Sequence, residues 1–186
     1  MLALFVIGVP VAAVGVFVLA VTGSPGSCED EARPISDTPE LAIAFQLKWN
    51  RFNDTLDAGQ ESTVVLSESE LTSRARVWVD AGDVPVSDLL ICFSVDSGAA
   101  SGKVDVPFFP GDVDVLIRGT VDLRGEHPDI EIDELEVGNL PGPLTGLVEG
   151  FIESLINDQE EELELALEHD YGITFGEGDI TVGGQP

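Results

Sequence analysis

The chain has 186 residues, with 35 Asp and Glu against 8 Lys and Arg, a net charge of −27. A surface this negative repels nucleic-acid phosphate and anionic lipid headgroups at ordinary salt, so nucleic acid is excluded as a partner. The excess of acid reads as adaptation to saline surroundings and solubility, with cation binding as the sharper alternative.

None of that charge falls in Met1 to Ser27. Leu2 to Val21 is about 20 apolar residues, which as a helix spans about 30 Å, the thickness of a bilayer's hydrocarbon core. The sequence therefore predicts a transmembrane anchor or uncleaved signal over 1–22, a linker over 23–36, and a single α+β domain over 37–186. A cleaved signal peptide is the rival, since small residues near Thr22 to Ser24 suit a peptidase and Pro10 interrupts the helix. Against it, a charged start is missing and the apolar run exceeds the usual ~7 to 15 residues. Nothing basic follows the segment, which opens into Cys28-Glu29-Asp30-Glu31, so the domain is expected on the extracytoplasmic side of the cell membrane. The residues before Cys28 lack the aliphatic residue of a lipobox. Cys28 and Cys92 are compatible with one bridge in an oxidising compartment; equally, Cys92 in LLICFSV is a small buried hydrophobe and Cys28 is free.

Asp37-Thr38-Pro39-Glu40 marks a helix start, with a capping side chain, proline where its missing N–H is harmless, and an acid at the positive end. The helix should run to about Leu56, with Leu41, Phe45, Trp49, Phe52 and Leu56 on one stripe. Ser67 and Glu70 form a capping-box pattern ahead of a second helix, whose buried side is expected to be Leu71, Ala75, Trp78 and Val79, with Arg74 and Arg76 on or near its wetter side. From Val86 the apolar period shortens to two, which predicts strands over Val86 to Val95, Lys103 to Phe109, Asp112 to Leu123 and Asp129 to Val137, with Asp96 to Gly102 as a turn. Val113, Val115 and Ile117 should face one way and Asp112, Asp114, Arg118, Thr120 and Asp122 the other, with a bulge or bend at Gly119. Helical spacing returns at Pro143, where residues from Leu144 to Ile156 form a wide apolar face that a curved sheet would wrap. Two or three closing strands follow, with turns at Glu168 to Gly172 and Gly176 to Gly178.

Motifs for chemistry are few. GAASGK over Gly98 to Lys103 has Ser97 where a phosphate loop needs glycine and Val104 where it needs Ser or Thr, and a strand follows it rather than a helix. His127 and His169 sit among carboxylates (Glu126, Glu168, Asp170) in expected turns without zinc spacing. No G-x-S-x-G turn exists, Asp112-x-Asp114 lacks the rest of a calcium loop, and GEGDITVGG over Gly176 to Gly184 is one copy of a motif that must stack. No cofactor, metal site or enzyme activity is expected. Asn53-Asp54-Thr55 fits a glycosylation acceptor by chance as easily as by design. In Val106-Pro107-Phe108-Phe109-Pro110 the two phenylalanines would face opposite sides of a strand, so one needs a second apolar partner: a flanking helix, or an acyl chain or bilayer interface.

The order of elements, with the phrases LSESELTSRA, VDLRGEHPDIEIDELEVGNLP and HDYGITFGEGDITVGG, resembles the small anchored bacterial proteins of the YpmS and LmeA type over roughly residues 63 to 184. Those families resemble a single module of the tubular lipid-binding (TULIP) superfamily. The resemblance implies an N-terminal transmembrane helix followed by a strongly curved antiparallel sheet wrapping an apolar helix, with an apolar groove for lipid; the strong negative charge departs from what an anionic headgroup would want. The expected lining is Leu71, Trp78, Phe93, Phe108, Val115, Ile117, Leu147, Phe151 and Leu155, each of which would serve as ordinary core if the interior were filled. The function expected is thus a membrane-anchored binder of lipid or another acyl-chain ligand. The rival is an anchored acidic scaffold with a solid interior and a cationic partner.

Overall fold

A computed structural model describes residues 27–28, 33–82, 84–107, 111–124, 129–138, 146, 150–151 and 169–186. The elements in order are helix α1 (Pro39–Asp57), strand β1 (Ser62–Ser67), helix α2 (Glu68–Gly82), and strands β2 (Val86–Ser94), β3 (Ser97–Asp105), β4 (Asp112–Asp122), β5 (Asp129–Val137), β6 (Asp170–Phe175) and β7 (Asp179–Gln185). The fold is α+β, but its strands form two antiparallel sheets rather than one continuous curl: β1-β7-β6 and β2-β3-β4-β5. Among the described residues no helix is long and apolar enough to cross a membrane. Leu2 to Val21 lie outside the described residues, as does most of the expected helix from Leu144 to Ile156; Gly146, Gly150 and Phe151 are helical.

Helix α1 begins as the sequence predicts. The Thr38 hydroxyl accepts from the Leu41 N–H (3.3 Å), and Pro39 and Glu40 fill the first turn. Its Phe45, Trp49, Phe52 and Leu56 lie on the inner face of the three-stranded sheet, against Val64 and Leu66 of β1, Ile180 and Val182 of β7, and Tyr171 of β6. Each large side chain fully buried there contributes about 2 kcal/mol of hydrophobic stabilisation. Approach is closest at Gly184, where an added Cβ would stand 2.5 Å from Leu56 Cδ1 and 2.9 Å from Phe52 Cζ.

Strand β1 was not expected, because its alternation of Val64 and Leu66 inward with Thr63 and Val65 outward is short and runs straight into the capping box. That box is present: the Glu70 N–H donates to Ser67 Oγ, and the Ser67 N–H donates back to the Glu70 carboxylate.

Helix α2 departs from its expected buried face. Leu71, Ala75 and Trp78 are half-buried, whereas Glu68, Glu70, Thr72 and Ser73 are buried beside Val79. The reason is the free edge of β2. Glu68 Oε1 accepts from the Phe93 N–H (2.8 Å), Thr72 Oγ1 accepts from the Ile91 N–H (2.9 Å), and Arg76 Nε donates to the Leu89 carbonyl (2.7 Å). Four residues of helix advance about 6 Å and two residues of strand about 6.6 Å, so side chains at every fourth helical position meet backbone groups at every second strand position. The helix thus stands in for a missing strand and satisfies an edge that would otherwise invite pairing. The edge of β1 is treated likewise: Lys48 Nζ donates to the Val65 carbonyl (3.1 Å).

In the four-stranded sheet, β3 begins at Ser97, so Gly98 to Gly102 is strand and the turn is only Val95 and Asp96, the latter at φ 72°. The alternation hidden in GAASGK is one of side-chain size rather than polarity, which gave no period to read. Strand β3 stops at Asp105, before Pro107, which has no N–H to give a ladder. Gly119 does mark an irregularity, since the β4–β5 register shifts between Arg118 and Gly119. An added Cβ at Gly119 would stand 2.2 Å from the Glu131 carbonyl oxygen.

Cys28 and Cys92 are joined in a disulfide, which decides between the two readings of that pair. Cys28 is fully buried, and its N–H donates to Ser101 Oγ (3.2 Å). Ser101 is the partner of Leu116 across β3 and β4, and Leu116 is buried although it points away from Val113 and Val115. Farther along, Arg33 donates to Glu68 and to the Phe93 carbonyl (2.7 Å), the Ser36 N–H donates to Ser69 Oγ, and the Thr38 N–H donates to Ser73 Oγ. Cys28 and the residues from Arg33 to Ser36, within the stretch read as a linker, are therefore held on the domain.

Candidate functional site

Antiparallel pairing puts directly opposed residues on one side of a sheet. By register, Val86, Ile91 and Phe93 of β2, Ala100 and Val104 of β3, Val113, Val115 and Ile117 of β4, and Leu135 and Val137 of β5 share the inner face of the four-stranded sheet. Val104, Val113 and Val115 are buried at its centre, and Val86, Val106, Ile117, Leu135, Val137 and Phe151 surround them while keeping part of their surface accessible. Three of the nine expected lining residues, Val115, Ile117 and Phe151, thus meet in one apolar cluster.

Toward the start of β3 the same face is solid. The rings of Phe93 and Phe175 lie 6.0 Å apart, and a Cβ added at Gly98 would touch both. Phe93 and Leu71 belong to the core under α1, so they line no opening on this face. Trp78 is half-buried on α2 and belongs to neither cluster. Phe108, Leu147 and Leu155 lie outside the described residues, as does His127.

Other candidates for chemistry resolve into structure. Gly98 to Lys103 is strand throughout, with no helix start to receive a phosphate. His169 Nε2 lies 3.0 Å from Asp57 Oδ1, with its ring edge-on to Tyr171. Tyr171 Oη donates to Asn53 Oδ1 (2.8 Å), which ties the amide of the sequon inside a helix. Among the described residues no group of three or more His, Cys, Asp and Glu could hold a metal ion. A cleft of about 320 Å³ between the start of α1, α2 and β2 is lined by Asp37, Asp80, Asp88, Ser73 and Arg76 together with apolar residues. Arg76 is occupied there by Asp37 and the Leu89 carbonyl. Asp88 is held below the usual carboxylate range by a hydrogen bond from Lys103 at 2.6 Å.

The sequence marks Glu70 as a capping-box residue but does not show that it and Glu68 are buried. Glu68 joins the Arg33 guanidinium (3.0 Å) to the Phe93 amide, while its own N–H donates to the carbonyl of Gly178 in the β6–β7 turn. One residue, through its carboxylate and its backbone N–H, therefore ties the incoming chain and the two sheets together. Burial would raise the Glu70 carboxyl, but the Lys48 ammonium and the N–H and hydroxyl of Ser67 outweigh it, and its pKa lies below the ordinary value. The available signal was Glu68-x-x-x-Thr72-x-x-x-Arg76, three polar residues on one helical face.

No protein-family model, curated protein or solved structure matches the chain. The site therefore rests on geometry: a sheet face whose described residues are apolar, with Ile117, Leu135, Val137 and Phe151 only partly buried around it. Such a surface can hold hydrocarbon.

Proposed function

We propose that this chain is a membrane-anchored, extracytoplasmic protein that shelters an acyl chain against the apolar face of its four-stranded sheet, beside Phe151, without covalent chemistry. The observation that carries the reading is the partial exposure of Ile117, Leu135, Val137 and Phe151 around a buried valine centre. Apolar rims of this kind favour hydrocarbon over water. Covering ~300 Å² of acyl chain would yield on the order of 7 kcal/mol before ordering costs, enough for binding without a charged contact. The Cys28–Cys92 bridge fits an oxidising compartment, and the apolar run from Leu2 to Val21 fits an anchor. This reading keeps the chain beside the YpmS and LmeA type of lipid-binding protein.

The test is lipid extraction of the purified chain with mass spectrometry, combined with uptake of a fluorescent fatty acid. Bound lipid and saturable uptake are expected. Phe151→Asp should abolish uptake while a thermal melt shows a folded domain, and Trp78→Ala should leave uptake unchanged. Absence of both lipid and uptake in the unmodified chain would overturn the proposal.

A second reading, an anchored acidic scaffold with a solid interior, is favoured by the filled aromatic core under α1. It predicts no lipid, and capture of a cationic partner that salt releases.

A further inference from the structure

The anchored reading has a geometric consequence for the opposite side of the four-stranded sheet. By register, the outer face of that sheet carries Ser87, Leu90 and Cys92 of β2, Ser101 and Lys103 of β3, Asp114, Leu116 and Arg118 of β4, and Glu134 and Glu136 of β5. Cys28 is pinned to the middle of it by the bridge to Cys92 and by the hydrogen bond to Ser101. Both sulfurs are buried, so the pin is structural and offers no reductant a path. Between Val21, the last residue of the apolar run, and this pin stand Thr22 to Ser27. Seven Cα–Cα steps reach at most about 25 Å.

We infer that the outer face of the four-stranded sheet is the surface this protein holds toward the bilayer, resting on the reading of Leu2 to Val21 as an anchor. Cys28, the end of the tether, is fixed on this face, and the tether is shorter than the domain is wide, about 38 Å for a compact sphere of about 150 residues. The opposite side is α1, whose inner residues share a core with Ile91 and Phe93, both of which point away from Cys28. Its Ile43 and Leu47 are exposed, on the helix that packs over the opposite, inner face.

The chemistry of the face selects the lipid. Lys103 pairs with Asp88 and lies across from Asp114, and Arg118 reaches toward Glu134 and Glu136, so two cations stand among four carboxylates. A zwitterionic bilayer surface suits that balance; an anionic one is repelled.

The experiment uses the full chain in phosphatidylcholine vesicles that carry a nitroxide quencher on the headgroup. A fluorophore is placed on a single introduced cysteine at Ser87→Cys or Glu134→Cys, and at Ile43→Cys or Leu47→Cys for the far side; the buried native bridge takes no label. Quenching at Ser87 and Glu134 should exceed that at Ile43 and Leu47 by at least about twofold, and a flexible insertion of about 20 residues after Gly23 should abolish the contrast. Replacing a third of the lipid with phosphatidylglycerol should weaken it. Equal quenching at the four sites, the reverse order, or a contrast that survives the insertion would overturn the inference while leaving the anchor standing. Release of the chain from the vesicles by alkaline carbonate would overturn the anchor itself.

Discussion

At Gly119 a single hydrogen stands where any other residue would place a carbon 2.2 Å from the Glu131 carbonyl oxygen. That oxygen belongs to backbone and cannot rotate away, so Gly119→Ala must push β5 off β4. A loss on the order of 3 kcal/mol in chemical denaturation is expected. Glu70 supplies a pH dependence of known sign. Its carboxyl is lower in the folded chain than the ordinary 4.5, so its contribution is present in full above that value and is lost as the pH falls through the folded pKa. The stability difference between the native chain and Glu70→Gln should therefore shrink as denaturation is moved from neutral pH to below 4.5; a constant difference would show that ionisation is not what Glu70 contributes. Sequence made Gly119 legible as an irregularity, because glycine inside a clean alternation has few other uses. For Glu68 the only signal was its four-residue spacing with Thr72 and Arg76, easily passed over because an acid in a first helical turn is explained well enough by the helix dipole.

The elements that alternation defines were legible nearly to the residue. Strand β5 runs over Asp129 to Val137 as read, β4 ends one residue short of expectation, and α1 spans Pro39 to Asp57. Those that failed share a cause. Strand β3 hides behind small residues, β1 behind a capping box, and the buried face of α2 behind polar side chains whose partners lie in another element. The ladder from Glu68, Thr72 and Arg76 to the edge of β2 is a relation between a helix and a strand, and no local period encodes it. It is directly testable: Thr72→Val keeps the shape of the side chain but leaves the Ile91 N–H without its acceptor. A cost of about 1 to 3 kcal/mol is expected, with faster hydrogen exchange at Ile91 than at its neighbours within β3.

The whole molecule is held by three kinds of tie: an aromatic core under α1, a valine-rich face under Phe151, and a clasp of Arg33, Glu68, Phe93 and Gly178 between the two sheets. The disulfide adds a fourth, closing a sequence separation of 64 residues. On loop-closure grounds, Cys28→Ser with Cys92→Ser should lower stability by about 4 kcal/mol. The double variant should also lose protection at Leu116, the cross-strand partner of the Ser101 that Cys28 bonds to, and retained protection there would show that the bridge is not what holds this strip in place.

Periodicity, capping and charge within single stretches of chain were enough for the α+β class, the positions of α1 and α2, the alternating strands and the division between an uncharged start and an acidic remainder. Long-range pairing and packing fixed the separation of the strands into two sheets, the meeting of Cys28 with Cys92, and the gathering of Val115, Ile117 and Phe151 in one apolar cluster while Phe93 and Leu71 joined another. Those outcomes depend on which edges pair and which faces meet, and such choices are settled by contacts between residues far apart in the chain.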